Sequence, residues 1–330
     1  MPRTMTIKAS IVLALLVGTT IGARAQQALQ LEATVPLGEV RGRIDHMAID
    51  LPHTRLLVAE LGNDSLGVVD VKQRTLVHRI SGLSEPQGVG YVRSTDTVYV
   101  ANGRDGSLRL FDGASYAETG RLKLGDDADN VRVDSEANHV IVGYGNGALA
   151  VLDAASRGKL ADIRLKGHPE SFQLAEGGSR TYVNIPNTHD IAVVDLKGAG
   201  QTAAWPMRLG ANFPMALDEA AGRVLSVFRS PARLGVFAMQ DGNMVASPET
   251  CGDSDDIFLD AMRHRAYVSC GAGAIDVIDT QDSGYRRIAR IPTVSGARTS
   301  FFAPELDRFM LAVRAAGREP AAIWLYRPTP

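Results

Sequence analysis

Asp45, Asp129, Glu170 and Asp255 stand at matching places in four stretches of this chain, each just ahead of a short apolar run. The residue that follows is His46, Asn130, Ser171 or Asp256 in turn, and Gln87 holds the first place in a further stretch. Phe213 and Thr299 complete a set of seven. A fold that gathers these places brings carboxylates together, and converging carboxylates repel unless a cation, a basic ligand or raised pKa values relieve them. One expectation is therefore a hard divalent cation, Ca2+ or Mg2+, held by Asp45, Asp129, Glu170 and Asp255. Another is a small polar or cationic ligand, bound by those acids together with His46, Gln87, Asn130, Asp256 and Arg298. His46 and Glu170 are the candidates for moving a proton in any catalysed reaction. The plainer alternative is that these acids accept hydrogen bonds from loop backbone and water, as Asp and Asn in loops commonly do.

Such convergence requires repeated elements. Seven short apolar runs recur about every forty residues: LGVVD closing at Asp70, LRLFD at Asp112, LAVLD at Asp153, IAVVD at Asp195, LGVFA at Ala238, IDVID at Asp279 and IWLYR at Arg327. A second β-rich run precedes each one, from RLLVAE (55–60) to RFMLAV (308–313), and turn formers such as GND, GRDG and GNG separate the two. Ahead of these lie MAID (47–50), VGYV (89–92), VRVD (131–134), FQLA (172–175), MALD (215–218), IFLD (257–260) and FFAP (301–304). Read as strands A, B and C of four-stranded blades, with strand D following, they predict a seven-bladed, all-β propeller. Repeat seven lacks a strand D, and LQLEATVPLG (29–38) is a strand with no repeat of its own. Placing 29–38 beside 321–327 closes the ring and removes an open edge.

The first residues read as a secretory signal. Arg3 and Lys8 are its basic region, 11–22 its apolar region and Ala23-Arg24-Ala25 its cleavage site. The expected organisation is a signal peptide over 1–25 and one propeller domain over 26–330, secreted or periplasmic, with no membrane span in the mature chain. The formal net charge of −2 becomes more negative when Arg3, Lys8 and Arg24 leave, which argues against nucleic acid as partner. Export also permits the two cysteines, Cys251 and Cys270, to form a disulfide within blade six. His168 lies in the loop before one strand A, and His189, Arg104, Arg229 and Arg233 fall in B–C hairpins on the same face. The chain has no C-x-x-C-H, H-E-x-x-H, EF-hand or G-x-S-x-G motif, and the glycines of GYGNG (143–147) serve a hairpin rather than a phosphate.

VYVAN (98–102) with LRLFD, and YVSCGAG (267–273) with IDVID, resemble the repeat of the YVTN-type, YncE-like bacterial β-propeller family. The likeness spans the whole mature chain, and repeats five and seven depart from it at Ala238 and Arg327. The resemblance implies a secreted or periplasmic propeller, often without known catalysis; proteins of similar fold include lactonases, lyases and subunits of periplasmic dehydrogenases. The expected function is a binding or accessory protein holding a small ligand or a periplasmic partner protein at the channel face. The alternative is a metal-dependent hydrolase or lyase, lactonase-like, in which a cation polarises a carbonyl and His46 or Glu170 moves a proton.

Overall fold

The computed structural model describes residues 1–2, 27–178 and 180–330. From residue 3 onward, the expected signal segment and its cleavage after Ala25 lie outside these residues. The described chain forms seven four-stranded antiparallel sheets, each joined in the order A-B-C-D from the inside outward. Blade one is Met47–Asp50, Arg55–Glu60, Ser65–Asp70 and Thr75–Ser81. Seven hydrophobic clusters hold the ring together, one in each seam between neighbouring blades. Strands B and C are covered on both faces, so they read as near-continuous apolar runs, whereas outer strands such as Glu118–Lys123 meet water.

The repeated aspartate that ends strand C has a local task. Asp70, Asp112, Asp153, Asp195 and Asp279 each accept a backbone N–H two or three residues further on and shape the turn into strand D. In repeat five, where Ala238 replaces it, Asp241 accepts the Asn243 N–H instead. Repeat seven needs no such turn, because its outer strand comes from the start of the chain. Leu29–Gly38 pairs antiparallel with Ala321–Pro328, from Leu29 opposite Pro328 to Gly38 opposite Ala321. There Arg327, in place of the aspartate, forms an ion pair with Glu32 of the closing strand, and Arg308 approaches the same carboxylate at 2.8 Å.

Cys251 and Cys270 are joined by a disulfide, with Cα atoms 5.8 Å apart. The bridge ties the loop before the inner strand of blade six to the end of strand B. It is buried, and the Cys251 N–H donates to Asp276 Oδ2 at 2.8 Å.

The inner strands begin earlier than the apolar runs suggest. Blades two, three, five and six have strand A over Pro86–Val92, Ala128–Asp134, Gly210–Asp218 and Ser254–Asp260. Each carries a β-bulge in its first half. Blades one and four show the same device without a formal strand there. Ala59 faces both Asp45 and His46, and Asn184 faces both Glu170 and Ser171, through backbone hydrogen bonds of 2.7–3.1 Å.

Candidate functional site

The bulges fall on the residues that open the sequence argument. An extra residue in one strand breaks the two-residue alternation and re-aims side chains, here toward the central channel. Asp45, Gln87, Asp129, Glu170, Phe213 and Asp255, from six successive blades, line one cavity of about 250 Å³ at the channel mouth. His46, Asn130 and Arg298 line it too. Asp256 does not: it faces a second cavity deeper in the channel, and His46 borders both. Thr299 of blade seven turns away to donate to the Ile44 carbonyl at 3.2 Å.

Close approach of the blades at the mouth depends on Gly88. A methyl group there would stand 1.9 Å from the Asp129 carbonyl oxygen. Its absence lets blades two and three bring Gln87 and Asp129 to the same rim.

The four carboxylates proposed as metal ligands are divided among different partners. Arg43 holds Asp45 at 2.8 Å. Asp255 forms an ion pair with Arg229 and another with Arg298, the latter at 3.1 Å. Arg229 lies flat against Phe213, its Cζ 3.7 Å from the ring centroid, and Arg298 donates to Asp253 at 2.6 Å. Asp129 faces histidines, with His168 Nε2 at 3.6 Å and His46 Nε2 at 4.0 Å. Among the described residues no group of three or more His, Cys, Asp and Glu side chains is gathered closely enough to hold a metal ion. The shared four-carboxylate cation site is thus not formed, because arginines have taken two of its acids.

Three acids of the channel have raised pKa values, and the two without a close arginine, Glu170 and Asp256, rise furthest. Burial, then repulsion from Asp129, raises the Glu170 pKa to about 7. Asp256 is pushed up to about 7 by burial and by Asp255, against the pull of His46 and the Ser300 N–H that it accepts at 2.7 Å. Asp45 rises to about 6, chiefly through burial. The histidines respond in the opposite sense. Burial works against charge on His46, but Asp45, Asp256 and Asp129 outweigh it and raise its pKa. For His168, burial is overcome by Asp129, by the Gly145 carbonyl 2.6 Å from Nδ1 and by Asp127, which together lift it to about 9. Asn130 joins the two groups: its Nδ2 lies 3.2 Å from His46 Nε2 and donates to the Glu170 carbonyl at 2.6 Å. Its buried Oδ1 has no hydrogen-bond donor among the described residues.

Of the other polar residues placed on this face by sequence, His168 and Arg229 join the mouth. Arg104 instead pairs with Asp64 and Glu85 on the outside, and Arg233 binds the Ser247 carbonyl. Sequence reasoning missed Arg43 and Asp127, which line the mouth. Both sit in loops within three residues of a ring position, and that proximity was the available signal.

No protein-family model and no curated protein matches the chain. Its architecture is nonetheless widespread, with 1844 matching chains of solved structure, so the fold by itself selects no activity. One of these is Kuenenia stuttgartiensis hydrazine synthase, similar at a TM-score of 0.71 over 83% of this chain and 94% of that one. At 12% identity this likeness concerns the fold alone. Strand order, ring closure and neighbour together establish the chain as a seven-bladed β-propeller.

Proposed function

We propose that this propeller is a secreted or periplasmic binding protein of the YVTN-type, YncE-like kind, and that its channel mouth takes a small polar ligand carrying a positive charge. The observation that carries the reading is the convergence of acids from separate blades with pKa values raised to about 6 and about 7. A carboxyl group whose proton is held by burial and repulsion ionises readily when a cation arrives, and the repulsion becomes attraction. The unpartnered Asn130 Oδ1 is a buried acceptor that an incoming N–H would satisfy. A mouth of about 250 Å³ suits a primary or secondary amine of few heavy atoms rather than a polymer.

Calorimetric titration with a panel of small amines and their neutral isosteres tests this. Amines are expected to bind and neutral isosteres to bind at least about tenfold more weakly, a difference of about 1.4 kcal/mol. Glu170→Gln and Asp129→Asn are each expected to weaken the amine by a similar factor. Equal affinity for amine and isostere would sink the reading.

A second reading is a hydrolase or lyase using His46 and Glu170 as proton carriers, supported by a Glu170 pKa near the operating pH of such a base. In its metal-dependent form it lacks a ligand set, since Arg43, Arg229 and Arg298 occupy Asp45 and Asp255. Turnover of a lactone panel that disappears in both His46→Gln and Glu170→Gln, and survives chelator, would favour this reading over simple binding.

A further inference from the structure

Below the mouth the channel widens into a second cavity of about 320 Å³, walled by inner strands of all seven blades. Its lining is mostly apolar: Ile49, Val89, Met215, Ile257 and an edge-to-face pair, Phe258 and Phe301, with ring centroids 5.6 Å apart. His46 and Asp256 also border it, and a third charged side chain stands apart from them. Arg132, on the inner strand of blade three, reaches into the cavity with its Cζ 5.4 Å from the Phe172 ring centroid. Its only hydrogen bond within the described residues is a 2.9 Å contact from Nη1 to the carbonyl of its own neighbour, Val131. No carboxylate of the described residues lies within ion-pair distance. Asp256 and Asp129 act on it only through space, and Asp256 is already engaged by the Ser300 N–H.

A half-buried guanidinium that faces an apolar cavity without a carboxylate partner leaves its planar fork free to pair with an anion. We propose that this lower cavity is a second binding site, distinct from the mouth, for a small monocarboxylate with an apolar, single-ring or short aliphatic body. The carboxylate pairs with the guanidinium fork of Arg132, and the body packs against Phe258, Phe301 and Met215. The Asp256 carboxyl in the same cavity disfavours dianions such as phosphate. The apolar walls disfavour small hydrophilic acids.

Phenylacetate and its charge-reversed counterpart phenethylamine are suitable probes for the full chain, followed by calorimetry and by the Arg132 side-chain NMR signal. Phenylacetate is expected to bind at one site and shift that signal. Arg132→Gln is expected to weaken it at least about tenfold, Arg132→Lys less, and Glu170→Gln to leave it unchanged. Phe301→Trp, which fills the cavity and keeps the arginine, is expected to abolish binding; it serves as the deciding variant if Arg132→Gln does not fold. The proposal is overturned by absence of phenylacetate binding to the wild-type chain, by full binding to Arg132→Gln or Phe301→Trp, or by loss of binding in Glu170→Gln, which would move the carboxylate to the mouth.

Discussion

Glu170 and Asp45 at the mouth, with Asp256 in the cavity below, give the channel a distinctive dependence on pH. Their folded-state pKa values lie above the ordinary values of 4.5 and 3.8, so the folded chain holds these protons more tightly than the unfolded one. Their stabilising contribution is present at low pH and is lost as pH rises from about 4 through about 7. His168 acts in the same direction over a higher window: its contribution is complete below about pH 6.5 and disappears as pH rises through about 9. Both effects lower stability with rising pH. The melting temperature should therefore fall between about pH 5 and about pH 9, and Glu170→Gln should flatten the profile and melt higher than wild type at about pH 8. A wild-type curve that is level or climbs over this range would contradict the shifts.

At the scale of the strand, the bulge decides which side chains see the channel. The Gly88 close contact makes this testable, because a Cβ at 1.9 Å from the Asp129 carbonyl oxygen forces the two inner strands apart. Gly88→Ala should cost about 1–3 kcal/mol in urea unfolding. It should also weaken any amine bound at the mouth, since Asp129 moves with its backbone. The disulfide is an element-scale clamp of another kind. It closes a loop of 19 positions in blade six, and reducing it should lower unfolding free energy by about 3 kcal/mol in the chain-entropy picture. Oxidised and reduced chains with equal denaturation midpoints would show that the packing around Asp276 does this work alone.

The ring as a whole depends on its ends meeting. Leu29–Gly38 supplies the fourth strand of blade seven, and Val35 and Leu37 sit in the seam between blades seven and one. Arg79 reinforces that seam by reaching the Leu37 carbonyl while holding Glu60 at 2.7 Å. Removing 27–38 would expose the edge of Ala321–Pro328 and uncover this cluster. The truncated chain is expected to aggregate or to melt far below the intact one, and a stable truncated monomer would refute closure by this strand. Among the described residues no helix is long and apolar enough to cross a membrane.

Strand identity, blade number and ring closure were legible in the sequence because they rest on local chemistry repeated seven times. Apolar runs, turn formers at set offsets and an aspartate that caps its own turn each act within a few residues. Cys251 and Cys270 were legible for a related reason, being brought together inside a single blade. The ring positions were also readable, since equal places in equivalent repeats must face one axis. Their partners were not. Arg229 on Asp255, His168 beside Asp129 and Asn130 against His46 are contacts between side chains separated by long stretches of chain. Those partners follow from the rotation between blades and from the bulges, which no single repeat encodes. Arg132 is the clearest case. Within VRVD it is one polar residue of a short inner strand, and nothing in the run says what it faces. Only closure of seven inner strands around one axis turns its side of the strand into a channel wall, where a guanidinium with no carboxylate partner faces an apolar cavity.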